Sequence, residues 1–361
     1  MSDLAAPPVG TIPYTLRRVS TIMTADPSDP LEVEGVLNPG TAWGADGELY
    51  LFPRVVAAGN VSRIARARVI IEDGVPVGVE RMGVVLAPDE GWEHGRQNAG
   101  VEDPRITFVE PLGIHVMTYV AYGPLGPRPA LAVSDDTISW RRLGPLHFVY
   151  QPELDSDLNL FANKDIVFFP EAVTGPDGTP ALAVLHRPMW DLDWLREGEG
   201  APTPAGIVDE RLSIWLGYVD LEAARTDITA LTHIRDSSMI VAPEAAYEEA
   251  KIGAGPAPLR TPEGWLLLHH GVSGPVPKGF ELAYGSCYSA GAILLDADDP
   301  RRVLARTPEP LLAPETAEET SGTLGNVVFP TAIETIAGRH FVFYGMADSS
   351  IGVAELVRDD R

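Results

Sequence analysis

The chain has 361 residues, 45% of them hydrophobic, which is enough to bury a sizeable core and excludes disorder as its main state. With 27 Lys and Arg against 51 Asp and Glu it carries a formal charge of −24, a surface that repels phosphate backbones and excludes nucleic acid as a partner class. A single cysteine, Cys287, excludes an internal disulfide and a zinc-ribbon site.

The opening MSDLAAPPVGTIPY lacks the basic region and apolar run of a secretory signal. No stretch reaches the roughly 18 uninterrupted apolar residues of a membrane span, so the expectation is a soluble, cytoplasmic protein with no membrane partner. From there on, 35 Gly and 33 Pro punctuate the whole length, leaving little room for long helices and suiting many short strands. Strand-length apolar runs recur at Glu48–Val55, Ile114–Tyr122, Ala181–Met189, Trp265–Val272 and His340–Asp348. The best helical candidates, Leu221–Leu231 and Pro243–Lys251, are both short.

Aligned with one another, these runs show a weak internal repeat. The passage from a third to a fourth strand is visible three times, at Ala130–Leu146, Ile214–Ile234 and Ala290–Leu312. Five units result, roughly 31–90, 98–150, 160–240, 248–312 and 322–358, within one domain spanning residues 1–361. Four strands per unit at this spacing predict an all-β fold, a five-bladed β-propeller with short helical decorations.

In such a fold the polar ends of the inner strands converge on the axis. Polar residues pair at similar separations in all five units: Asn38 with Arg54, Asp103 with Tyr122, Asp165 with Arg187, Lys251 with His270, and Asn326 with Asp348. Polar residues also fall at turns for no functional reason, but five pairs in register suggest one funnel-shaped pocket.

Several chemistries have no support in the sequence. There is no GxSxG elbow, HExxH, Cys/His cluster or Walker motif. The GxG in Lys251–Pro256 is followed by proline and by no helical pattern, which argues against a dinucleotide site. What remains is a carboxylate with a ring of cations. In Gly100–Arg105 two acids precede a strand, and strict alternation turns Glu102 to the opposite face, leaving Asp103 as the candidate general acid. The plainer alternative pairs Asp103 with Arg105 to brace a turn. Arg187, Lys251 and His270 facing one channel call for an anion, and phosphate suits them; alternatively they neutralise Asp165, Glu171, Glu248 and Glu249. A hydrolase would instead need a second carboxylate, about 6.5–9.5 Å from the first, to activate water.

The motifs in order bring a family into view. Leu37–Gly40 (LNPG), Leu51–Arg54 (LFPR), Val101–Thr107 (VEDPRIT), Asn163–Glu171 (NKDIVFFPE) and Leu185–Pro188 (LHRP) are followed by Lys251–Val272, Glu281–Asp296, Asn326–Pro330 and Tyr344–Ala354. Together they resemble the β-mannoside phosphorylases and related β-mannosidases of glycoside hydrolase family 130, which are five-bladed propellers. The resemblance implies Asp103 as the general acid, acting through the 3-hydroxyl of the bound mannose. It implies Arg187, Lys251, His270 and Arg128 for inorganic phosphate, the co-substrate. Asn38, Arg54, Tyr284 and Asp348 would surround the mannosyl unit. No metal and no organic cofactor are implied.

The expected reaction is inverting phosphorolysis of a manno-oligosaccharide to α-mannose 1-phosphate and a shortened acceptor. Hydrolysis by the same fold, with Glu248 or Glu249 as base, is the alternative, and a non-catalytic carbohydrate-binding propeller is a third reading. Family members also assemble into homo-oligomers. Three departures from the family pattern bear on the acceptor side: His269 in place of tyrosine, Ser289 in place of a basic residue, and an added loop at Leu195–Ala205.

Overall fold

A computed structural model describes residues 11–190, 196–199, 203–275 and 285–359. The fold is all-β, as composition and punctuation predict, and is built from five antiparallel units. Unit one runs Gly35–Trp43, Leu49–Ala57, Val61–Glu72 and Val75–Leu86; unit two runs Ala99–Val109, Ile114–Gly123, Gly126–Ser134 and Arg141–Pro145. Their sheets are continuous through a short parallel contact of Val61 and Ser62 with Ala99 and Gly100. Gly100 is required there, because a Cβ would lie 2.2 Å from the Ser62 carbonyl and φ is +118°.

Unit three comprises Ala162–Thr174, Pro180–Met189, Ile214–Asp220 and His233–Val241. In unit four the inner edge is split into Lys251–Ala254 and Leu259–Thr261, both pairing with Gly264–Ser273, followed by Cys287–Leu295 and Val303–Arg306. Unit five has Val328–Ile336, Arg339–Met346 and Ser350–Arg358, and takes its outer strand from the N-terminal segment Tyr14–Thr24. The sequence reading left that segment outside all five units, because it precedes the first repeat by a whole circuit of the chain.

Helix is confined to short turns. The candidate at Leu221–Leu231 splits into an α-turn at Leu221–Thr226, capped by the Asp220 side chain, and a 3-10 turn at Ile228–Thr232. The candidate at Pro243–Lys251 shrinks to a 3-10 turn at Ala246–Glu248, because Lys251 already belongs to a strand.

The core is divided into five clusters, each joining two successive units. Phe52 and Met117 belong to the cluster between units one and two, Phe168 and Trp215 to that between two and three, and Leu216 and Trp265 to that between three and four. Leu268 and Tyr344 sit between four and five, and Phe343 and Leu51 close five back onto one. Alternation along single strands explains this. Trp265 and Leu267 face unit three while Leu266 and Leu268 face unit five, so each middle strand is apolar on both faces. The inner strands of units one and two, two and three, three and four, and five and one touch.

Candidate active site

Inner strands one, two and three share a local irregularity. Their pairing shifts register at Leu37/Gly40, Glu102/Arg105 and Lys164/Val167. Within each shift one residue takes a left-handed backbone: Asn38 (φ 43°), Asp103 (φ 48°) and Asp165 (φ 58°). Asn and Asp tolerate that conformation better than other non-glycine residues, and a bulge re-aims the side chain it carries. Pro39 and Pro104, which cannot donate to a ladder, follow two of the three.

Around Asp103 the contacts are tight. Asn38 Nδ2 donates to Asp103 Oδ1 at 2.8 Å, and Arg54 Nη1 donates to the same oxygen at 3.2 Å. Arg54 also donates through Nη2 to Glu102 Oε1 at 2.9 Å and through Nε to Ser62 Oγ at 2.8 Å. Glu102 and Asp103 therefore converge on one guanidinium, contrary to the alternation expected from the sequence. The bulge between them and Arg105 cancels the two-residue period. Nor does Asp103 form an ion pair with Arg105, whose Nη2 reaches Asp165 Oδ1 at 3.2 Å and the Ala254 carbonyl at 2.9 Å.

Beside this cluster lies the cationic one. Arg187 Nε donates to Asp165 Oδ2 at 2.5 Å, and His270 Nε2 stands 3.6 Å from the same oxygen. Lys251 Nζ lies 5.2 Å from the centre of the Tyr288 ring. The structure thus brings Arg187, Lys251 and His270 together. It bears out part of the plainer reading too, since Arg187 does face Asp165. Between the clusters stands Lys164, which sequence reasoning missed. Its Nζ is 3.6 Å from Glu102 Oε2 and 5.4 Å from the centre of the Tyr122 ring. The signal was its position in Asn163–Glu171 directly before the bulge residue.

The electrostatics follow from burial and neighbours. Burial pushes the Asp103 carboxyl up, but Arg54, Lys164 and the Asn38 bond outweigh it and hold it below the ordinary range. Desolvation, helped by the negative charges of Asp103 and Glu102, outweighs Arg54 and Lys164 and raises Asp348 to about 6. Burial and the Arg187 charge lower Lys251 to about 7. His270 is neutral, held down chiefly by burial.

Arg128 stands apart from these groups. Its Nη1 donates to the Phe161 carbonyl at 2.6 Å, and among the described residues it has no carboxylate partner. Asn326 is exposed, with only its carbonyl tied to the Tyr288 amide at 2.9 Å. Tyr284 lies outside the described residues, as do Leu195 and residues 200–202 of the added loop. Among the described residues no group of three or more His, Cys, Asp or Glu is placed to hold a metal.

Two expectations need correction. His269 does not shape an acceptor pocket. It is fully buried on the opposite strand face from His270, with Nε2 2.9 Å from Glu248 Oε1 and 3.2 Å from the Tyr247 hydroxyl. Glu248 cannot serve as a base toward water. It is fully buried, bonded by His269, Arg306 and the amides of Glu244 and Ala245, and its carboxyl is held well below the usual range. Glu249 is exposed, its carboxylate directed at the Gly274 amide.

Comparison with known proteins adds to this geometry. The sequence model of glycoside hydrolase family 130, described as beta-1,4-mannooligosaccharide phosphorylase, matches residues 11–360. A 1,2-beta-oligomannan phosphorylase of Thermoanaerobacter sp. (strain X514) is 31% identical over 72% of this chain and 69% of its own. A beta-1,4-mannooligosaccharide phosphorylase of Ruminococcus albus is 40% identical over a shorter stretch, 34% of this chain and 35% of its own. The solved beta-1,2-mannobiose phosphorylase from Listeria innocua, in complex with beta-1,2-mannobiose, shares the fold with a TM-score of 0.70. It is 22% identical, over 95% of this chain and 97% of that one.

Proposed function

The chain belongs to glycoside hydrolase family 130, and on that premise we propose that it is an inverting β-mannoside phosphorylase acting on a manno-oligosaccharide and inorganic phosphate. We infer with it that the five units are the blades of a propeller, since five inter-unit cores close the last unit onto the first. The observation that carries the activity is the gathering of Arg187, Lys251 and a neutral His270 around Asp165, beside the Asp103 cluster, in a chain of net charge −24. Phosphate needs no base to be a competent nucleophile. It needs positioning and relief from repulsion by the surrounding acids.

In this reading Asn38, Arg54 and Asp348 hold the mannosyl unit, with Tyr284 assigned by resemblance alone. Asp103 supplies the proton for the departing oxygen, relayed through the 3-hydroxyl of the mannose. Phosphate attacks the anomeric carbon from the face opposite the acceptor. One C–O bond breaks as another forms, and the proton lost by hydrogenphosphate replaces the one donated to the acceptor. The free site holds Asp103 ionised, so the bound substrates must bring that proton with them. Arg128, whose Nη1 is bonded to the Phe161 carbonyl, is assigned to phosphate by resemblance alone. The sequestration of Glu248 and the exposure of Glu249 disfavour the hydrolase.

Relatives are named for both β-1,2 and β-1,4 linkages, so both mannobioses are offered, with and without orthophosphate. The expected product is α-mannose 1-phosphate, formed only with phosphate present. Free mannose released at the same rate without phosphate would overturn the proposal in favour of hydrolysis.

A further inference from the structure

Asp165 occupies in unit three the position that Asp103 occupies in unit two, a left-handed residue at the bulge of the inner strand. Its surroundings are nonetheless reversed. Asp103 shares its strongest cation, Arg54, with Glu102, and sits in a cluster of several carboxylates. Asp165 is ringed by basic side chains from three units: Arg105 from unit two donates at 3.2 Å, Arg187 from its own unit at 2.5 Å, and the His270 ring of unit four stands 3.6 Å away. It is 3% exposed, and the nearby cations, Arg187 first, outweigh burial and keep it ionised throughout the working pH range.

Its partners are not satisfied by it. Arg187 Nη1, Arg105 Nε and both ring nitrogens of His270 are buried with no hydrogen-bond partner among the described residues. Asp165 holds Arg187 through Nε, which leaves the far edge of the guanidinium free. The backbone of Arg187 is fixed separately, its N–H donating to Asn163 Oδ1 at 3.0 Å. A guanidinium anchored at Nε and open at Nη is prepared to bind another anion.

Room for this arrangement comes from a glycine. A Cβ built on Gly253 would lie 2.2 Å from Asp165 Oδ2 and 2.5 Å from the His270 ring, so any side chain there would push the two apart. The backbone of Gly253 is not left-handed, which makes the requirement one of space and not of conformation. The glycine of the Lys251–Ala254 strand, which the sequence left without a role, is accounted for by this contact.

We propose that Asp165, admitted by Gly253, is a positioning residue that orients Arg187 and His270 toward phosphate without touching substrate. The inference rests on the phosphorylase reading and specifies what organises its anion side. An uncompensated gathering of Arg105 and Arg187 would spread by repulsion. One buried carboxylate between them fixes the spacing that phosphate then meets.

The test measures orthophosphate binding to the intact protein by calorimetry, alongside steady-state kinetics with the better mannobiose. Asp165→Asn keeps the shape and removes the charge. It should raise both the phosphate dissociation constant and KM by about 100-fold, with KM for the sugar changed by less than about threefold. Gly253→Ala, which leaves every charge in place, should shift the same two constants in the same direction, and it carries the test if Asp165→Asn fails to fold. Equal losses in both KM values, or none, would overturn the positioning role while leaving phosphorolysis standing. A wild-type protein that binds no phosphate and forms no sugar phosphate would overturn the phosphorylase reading itself, and this inference with it.

Discussion

Buried carboxylates meet arginines in two regions of the molecule, the outer rim and the central pocket, and they are completed very differently. On the rim a glutamate from the segment entering a unit is held by an arginine on that unit's outermost strand. The pairs are Glu32 with Arg81, Glu93 with Arg142, Glu248 with Arg306 and Glu319 with Arg18. The same glutamates also accept backbone amides just upstream: Asp26 for Glu32, Glu90 for Glu93, Ala245 for Glu248 and Thr316 for Glu319. Three take a further bond from the second strand of the unit, from Tyr119, His269 and Tyr344. His269 stands where units two and five use tyrosine, which explains the departure from the family pattern without reference to substrate.

Both oxygens of these rim glutamates are engaged, although Arg306 Nε and His269 Nδ1 stay open. At the centre it is the donors that are left over, on Arg105, Arg187 and His270, together with Asn38 Oδ1. Burying a polar group without a partner costs about 1–3 kcal/mol, so such groups persist where a ligand completes them. In the proposed reading the rim pairs hold the units together, and the central donors are completed by substrate. Variants in the two regions should therefore separate stability from activity.

The largest separation is expected at Asp103. Asp103→Asn keeps the size of the side chain and should lower kcat on mannobiose by about 10³-fold, within the span of lost acid catalysis. Its melting temperature should stay within a few degrees of wild type. A large drop in melting temperature with activity retained would place Asp103 among the structural carboxylates.

Glu248→Gln should do the reverse. Removing one partner of a buried ion pair costs about 3–5 kcal/mol, which denaturant titration reads directly, while both KM values of the protein still folded stay unchanged. A selective rise in KM for phosphate would instead tie this glutamate to the pocket.

How much of this was legible depended on whether a residue's role lay in its own strand or across units. Asn38 and Asp103 stand at bulges within short motifs, Arg187 stands in the motif Leu185–Pro188 facing the bulge at Asp165, and the sequence exposed all three. Lys164 escaped because it precedes a bulge, and its value comes from Glu102 on another unit. The rim glutamates escaped because each pairs with an arginine 49 to 301 residues away, a separation no local pattern reveals. The N-terminal strand escaped for the same reason, since only closure of the last unit gives it a place.

A smaller effect should appear at Lys251. Burial and Arg187 lower it to about 7, so in the empty site it loses its charge as pH rises past that value, and phosphate binding must then restore the proton. KM for phosphate should climb by up to about tenfold per pH unit above 7, relative to Lys251→Arg, whose guanidinium stays charged. The sugar KM should show no such slope. Parallel profiles for the two proteins would remove Lys251 from the phosphate side.

The smallest effect, and the one that isolates the rim device, is expected in unit three, where no such Glu–Arg pair is found among the described residues. There Gln151 clamps the outer strand through its amide: Oε1 accepts the Ser237 N–H at 2.7 Å, and Nε2 donates to the Ser237 carbonyl at 3.3 Å. Gln151→Leu forfeits these two bonds and a third, exposed one from Nε2 to Glu153 Oε1 at 3.2 Å, at a half-exposed site where water can substitute in part, so the expected loss is about 1–2 kcal/mol. Acid tells the two clamps apart. Glu248 and Glu319 have carboxyls held below their unfolded value of about 4.3, so their stabilisation is complete above that pH and is lost as pH falls through the folded values. Gln151 has nothing to protonate. The Gln151→Leu protein should therefore run close to parallel with wild type between pH 7 and pH 3, converging only by what the exposed bond to Glu153 contributes, whereas Glu248→Gln should start lower and lose much less on acidification. If the Gln151 variant instead flattened the acid slope as strongly as Glu248→Gln, unit three would be coupled to the ionised rim, and the division into separately clamped units would fail.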